Sequence, residues 1–100
     1  MTRPPAVPTV QVENERIRVT EWRFAPGAAT GFHRHEYDYC VIPLATGRLG
    51  IEMADKTVTE AQLTAGVSYA RNAGVEHDVI NLNPFEFAFI EVELKEKAGG

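Results

Sequence analysis

GAATGFHRHEYDYCVIPLATG, residues 27–47, begins and ends on glycine and holds two of the chain's three histidines and its only cysteine. His33 and His35 stand as H-x-H, and Cys40 follows on an apolar run, Tyr39–Leu44, whose β-branched residues favour a strand. If Gly31–His35 is also extended, His33 and His35 point to one face with their Cα atoms roughly 6.7 Å apart. That spacing lets two imidazoles converge on one cation with bonds of ~2.0–2.1 Å. By itself the pair is equally compatible with two solvated or hydrogen-bonded histidines.

Working outward, the chain reads as short strands separated by turns. In RIRVTEWRF (16–24), Ile17 and Val19 share a face with Glu21 and Arg23, while Thr20, Trp22 and Phe24 share the other. A-P-G-A-A-T-G breaks that strand, and A-T-G-R forms a turn after Leu44. RLGIEM and KTVTEAQL flank a hairpin-like break at Ala54-Asp55, and VSYA, HDVIN and FEFAFIEVEL follow. The threonines and valine of TVTEAQLTA favour a strand there too, and no segment sustains a helical period. Eight or nine short strands with turn signals every 8–12 residues predict an all-β sandwich or barrel.

Pro43 interrupts its apolar run and has no N–H for a ladder, so a bulge or an edge is expected there. The last strand is apolar on both faces, with Phe85, Phe87 and Phe89 on one and Ala88, Ile90, Val92 and Leu94 on the other. A second copy of the chain is the expected outer cover, giving a homodimer. One hundred residues suit a single domain, 1–100, with a proline-rich extended arm at 1–8 and a frayed tail at 95–100.

With a net charge of −4 and ten scattered Lys and Arg residues, the chain has no basic stripe, which argues against nucleic acid and anionic membranes as partners. No apolar run approaches the ~18–20 residues of a membrane span. The opening MTRPPAVPTV lacks a signal peptide's apolar region. A lone cysteine makes no internal disulfide, so a reducing, cytoplasmic setting is expected. Ser68, the sole serine, has no nucleophile motif around it, and no phosphate loop is present.

His77, in GVEHDVIN, completes a pattern that uses every histidine. Gly27 is followed by five residues, His33-Arg34-His35, four residues, Cys40, six residues and Gly47. Gly66 is followed by five residues, Asn72-Ala73-Gly74, two residues, His77, three residues and Asn81. These two runs resemble the paired motifs of the cupin superfamily and, with the segment between them, cover residues 27–81. HEYDY, VIPL and AGVEHDVIN also resemble a group of small bacterial cupins assigned to β-alanine degradation. The resemblance implies a double-stranded β-helix, or jelly-roll barrel, with His33, His35 and His77 pointing inside as ligands of one divalent transition metal: iron, nickel, zinc or manganese. Small cupins of this kind are commonly dimers.

The sequence departs from the family's pattern twice. Asn72 replaces a proline, a mild change because Asn tolerates turn conformations. Cys40 replaces a glutamate ligand, and three readings stay open: a thiolate as fourth metal ligand, a reactive thiol near the metal, or a small apolar residue filling space. Asp78 is expected to orient a ligand imidazole from outside, and Glu36 to face outward. Tyr37 and Tyr39 are candidates for the mouth of the site or the core. Arg34 and Arg71 are either carboxylate binders or solvated charge. No residue is assigned a catalytic role.

The resemblance implies a metal-dependent enzyme acting on a small organic molecule. An oxygenase is the leading expectation, because three neutral ligands leave open positions on the metal. The family also includes isomerases and decarboxylases. The competing expectation is a non-catalytic binding or sensing cupin whose metal is structural or anchors a ligand.

Overall fold

The computed structural model describes residues 3–95. Nine strands follow one another: β1 (Val7–Glu13), β2 (Ile17–Phe24), β3 (His33–Arg34), β4 (Asp38–Pro43), β5 (Gly47–Glu52), β6 (Val58–Leu63), β7 (Tyr69–Arg71), β8 (Glu76–Asn81) and β9 (Phe87–Leu94). They form a five-stranded sheet ordered β1-β2-β9-β4-β7 and a four-stranded sheet ordered β3-β8-β5-β6. All paired strands are antiparallel, and the described residues contain no helix. This is the expected all-β jelly roll. Its core lies between the sheets.

Strand alternation builds that core. On β2, Thr20 and Phe24 are buried and Trp22 is half-buried, as the period of two predicts. On β9, Phe87 and Phe89 face Phe24, Leu49, Leu63 and Val79 inside, while Phe85 lies before the strand and is 45% exposed. The opposite face of the same sheet carries Ile17, Val19, Cys40, Ile42, Ile90 and Val92, all half-exposed. Pro43 is not bulged. It is the last residue of β4, beyond the end of the β7 ladder at Val41–Tyr69, so no hydrogen bond on that side requires its missing N–H.

The N-terminal segment is tied down more than a free arm would be. Ala6 donates to the Ala29 carbonyl, Ala29 donates to that of Pro4, and β1 already begins at Val7. Of the expected tail, residues 96–100 lie outside the described residues. Lys95 is anchored, its ammonium 2.8 Å from a Glu13 carboxylate oxygen.

At the end of the barrel away from the histidines, Asn81 joins two loops. Its buried amide donates to the carbonyls of Phe24, Ala25 and Phe85 and accepts from Asn83. Asn83 in turn clasps the backbone of Arg48. Gly47 leaves the room for it: a Cβ there would lie 2.6 Å from the Asn83 amide oxygen.

Candidate metal centre

The three histidines reach one point from two segments of the four-stranded sheet. His33 on β3 pairs directly with His77 on β8, so their side chains share a face. His35 lies just past β3, its backbone N–H bonded to the Val75 carbonyl. Gly74 returns a hydrogen bond to the His35 carbonyl at 2.8 Å and has φ +99°, a conformation that favours glycine. The turn before β8 thereby fixes where both His35 and His77 stand.

Nε2 of His35 lies 3.0 Å from Nε2 of His33 and 3.1 Å from Nε2 of His77. His33 Nδ1 is 2.8 Å from the Gly31 carbonyl, which can only accept. The proton of His33 therefore sits on Nδ1, and its Nε2 lone pair faces the other two rings. Asp78 braces this loop by accepting from the Gly31 N–H at 3.1 Å, while the Thr30 hydroxyl lies 3.3 Å from His33 Nδ1. Asp78 thus acts on His33 through Gly31 and Thr30, without touching the ring.

Protonating His35 and His77 is unfavourable. Burial first, then the charges of His33 and His77, hold His35 at about 3, and burial followed by His33 holds His77 at about 4. Ring nitrogens gathered this closely form a donor set that suits a cation. Two nitrogens bound to one metal at ~2.0–2.1 Å stand about 2.9–3.4 Å apart for angles between octahedral and tetrahedral. The observed separations of 3.0 and 3.1 Å fall in that range. His33, His35 and His77 fit a metal with little rearrangement.

A cavity of about 460 Å³ opens beside them, walled by apolar side chains including Leu49, Ile51, Leu63 and Val79. Its polar wall lies on the five-stranded sheet. Tyr39 stacks on His35, ring centroids 3.8 Å apart and planes 15° from parallel. Burial above all pushes the Tyr39 phenol up to about 12, so it stays protonated. Glu91 lines the cavity; burial, then the neighbouring Glu93 charge, raises it to about 7 against the pull of Arg18 and the Trp22 N–H. One ring nitrogen of His35 and carboxylate oxygens of Glu91 and Glu93 all lie within 4.8 Å of one another. Glu93 is held by a two-pronged ion pair with Arg18, at 2.9 and 3.2 Å.

Cys40 is elsewhere. On β4 the buried residues are Tyr39, Val41 and Pro43, and Tyr39 and Val41 line the cavity. The pleat turns Cys40 to the opposite face, between its strand neighbours Ala70 and Val92, and among the described residues it joins no ligand group. Of the three readings open for Cys40, ligand, reactive thiol or apolar filler, the two beside the metal gain no support from this placement on the sheet's outer face. The inward residue is Tyr39, one position earlier. Glu36 is exposed, as expected, and Arg34 lies outside the cavity lining while Arg71 is within it. Sequence reasoning missed Glu91 and Glu93. Their signal was present: they continue the Phe87–Phe89 face of β9, where two acids in line with a core stripe call for a polar site.

Residues 20–93 match the family model described as a cupin domain. The chain belongs to the cupin family. It is 56% identical over 93 residues to the β-alanine degradation protein BauB of Pseudomonas aeruginosa, covering 93% of this chain and 97% of that one. A crystal structure of a cupin domain from Bordetella pertussis Tohama I is 55% identical and superposes with a TM-score of 0.92, covering 96% and 99% of the two chains. The polyketide cyclase RemF from Streptomyces resistomycificus shares the fold at 19% identity, with a TM-score of 0.69 over 98% of this cupin and 72% of that chain.

Proposed function

We propose that this cupin is a metal-dependent enzyme that acts on a small organic molecule at His33, His35 and His77. The observation that carries the reading is the convergence of three Nε2 atoms, at 3.0 and 3.1 Å, on the wall of an apolar cavity. The metal is one divalent transition ion, iron, nickel, zinc or manganese, and the expected chemistry is oxygenase-like. When bound, such an ion supplies Lewis acidity and open coordination positions for substrate and dioxygen. The residues of the chain do the rest. His33 is oriented by the Gly31 carbonyl, and Tyr39 holds the His35 ring flat against the barrel wall. Glu91, raised to about 7, can hold or release a proton at its carboxylate inside the cavity near neutral pH. The apolar lining keeps water from the reacting molecule.

The relation to BauB, whose name places it in β-alanine degradation, supports a small aliphatic substrate. A second reading, a binding or sensing cupin with a ligand-anchoring metal, draws on one feature: Tyr39, and no carboxylate, occupies the inward position of β4. The two readings part on turnover. Protein purified without added metal should contain about one equivalent of iron, nickel, zinc or manganese by elemental analysis, and the iron-loaded form should consume oxygen with a small organic acid. Metal without turnover for any loaded ion would favour the binding reading; no bound metal would defeat both.

The single-domain organisation, a cytoplasmic location and a homodimer belong to the same proposal. The half-exposed apolar face bearing Ile17, Val19, Ile42, Ile90 and Val92, with Leu94 47% exposed at its end, is what a second copy would cover. Light scattering of the purified protein tests that part.

A further inference from the structure

The inner face of the five-stranded sheet carries one row of polar side chains across all five strands. Strand register aligns Arg71 with Tyr39, Tyr39 with Glu93, Glu93 with Arg18, and Arg18 with Glu13. Most of the row is electrically closed. Arg18 holds Glu93 through two contacts and lies 3.7 Å from Glu13, which also receives Lys95 at 2.8 Å. Arg71, at the other end, is separated from these charges by Tyr39. Among the described residues no carboxylate lies within ion-pair distance of it.

Arg71 is nonetheless positioned. Its guanidinium carbon lies 4.7 Å from the centre of the Tyr69 ring, and Nη1 donates to the Ala70 carbonyl at 2.8 Å. Among the described residues, Nε and Nη2 have no hydrogen-bond partner. Arg71 lines the same cavity as the three histidines and is the cavity's one Lys or Arg side chain among the described residues. It stands one strand spacing, ~4.8 Å, beyond the tyrosine that stacks on His35. A guanidinium with free donors, propped on an aromatic ring at an apolar cavity, suits a planar anion that takes two parallel hydrogen bonds.

We propose that Arg71 binds the carboxylate of the cavity's ligand, which is a short-chain organic acid carrying a second oxygen that faces His33, His35 and His77. Arg71 is then the residue that selects acids over neutral molecules of the same shape. This rests on the reading of that cavity as the ligand site, and it adds the ligand's charge and orientation.

The test uses lactate, pyruvate and acetoacetate, each against its own amide, which keeps the shape and removes the charge. Affinities are measured by calorimetry on the metal-loaded protein and by NMR of the Arg71 Nε–H on both metal-loaded and metal-free protein. At least one acid should bind roughly tenfold tighter than its amide, as a charge-assisted pair predicts. Arg71→Ala should abolish that preference at unchanged metal content, and Arg71→Lys should keep part of it. An acid preference that survives Arg71→Ala overturns the proposal, as does equal binding of acids and amides, or binding of neither. Metal content keeps the two ideas apart: a protein that holds no metal but prefers acids through Arg71 fails the metal reading alone.

Discussion

At one end of the space between the sheets, Phe24 and Phe87 are wholly buried against each other and Leu49, and the buried polar residue there, Asn81, has every amide atom engaged. At the other end His35 and His77 are nearly as buried, yet three imidazole nitrogens face one another and Glu91 sits raised to about 7. The first end is organised so that every group already has its partner. The second holds donor atoms whose best partner is a cation, and a cavity beside them. Stability is expected to come mainly from one end and binding from the other.

Substitutions at the two ends should therefore fail in different measurements. His77→Ala is expected to have the largest effect on binding: bound metal should fall from about one equivalent to near zero by elemental analysis. The metal-free protein's unfolding free energy from urea melts should change by less than about 1 kcal/mol, because the lost ring was one of three crowded together. Retention of stoichiometric metal by His77→Ala would remove the histidine cluster from the metal site. Phe87→Ala should do the reverse. A wholly buried aromatic truncated to Ala costs about 3–5 kcal/mol. Metal-loaded protein should still bind its ion with unchanged stoichiometry at temperatures where the variant is folded.

The pH dependence of the metal-free protein sharpens the contrast further. His35 and His77 titrate at about 3 and about 4 in the fold, against an ordinary 6.5, so the unfolded chain binds the extra protons and stability is lost as pH falls below 6.5. Glu91 has the opposite sign. Its folded value of about 7 exceeds the ordinary 4.5, so its contribution is present at low pH and is lost as pH rises through 7. Two histidines outweigh one carboxyl below pH 6.5, the two effects nearly cancel near pH 7, and stability should reach a plateau there. Glu91→Gln should raise that plateau, stabilising the metal-free protein well above neutrality by on the order of 1–3 kcal/mol. It should also steepen the acid limb. Identical urea-melt profiles for the two proteins would show that Glu91 carries no such shift.

Much of this was legible in the chain. The period of two in RIRVTEWRF and FEFAFIEVEL separated the two faces of β2 and β9, and the family resemblance carried by the spacings from Gly27 and Gly66 implied that His33, His35 and His77 meet across more than forty residues. These features are local, or depend on turns that specific residues dictate, such as Gly74. The residue beside the histidines on β4 was not legible. A bend at Glu36–Tyr37 separates His35 from β4 and resets the pleat, so counting residues from the histidines gives no phase for the strand that follows. Counting four residues selects Cys40, whereas three selects Tyr39. The row from Arg71 to Glu13 was hidden for a different reason: its register joins five strands distant in sequence.

That phase sets the smallest expected effect, and it compares two adjacent residues. Cys40 is half-exposed on the outer face, so Cys40→Ala should change stability by about 1 kcal/mol or less and leave metal content and ligand affinity as they were. Tyr39→Ala removes the ring stacked on His35 and part of the cavity wall, and should weaken metal binding while Cys40→Ala does not. The size of the Tyr39 effect is the informative quantity. Groups that orient a metal ligand typically contribute roughly 10–100-fold in affinity when removed, which is well short of losing the ligand itself. A loss as complete as that of His77→Ala would make the phenol a ligand in its own right. An intermediate loss, with Cys40→Ala unchanged, is what a ring that only holds His35 in place should give.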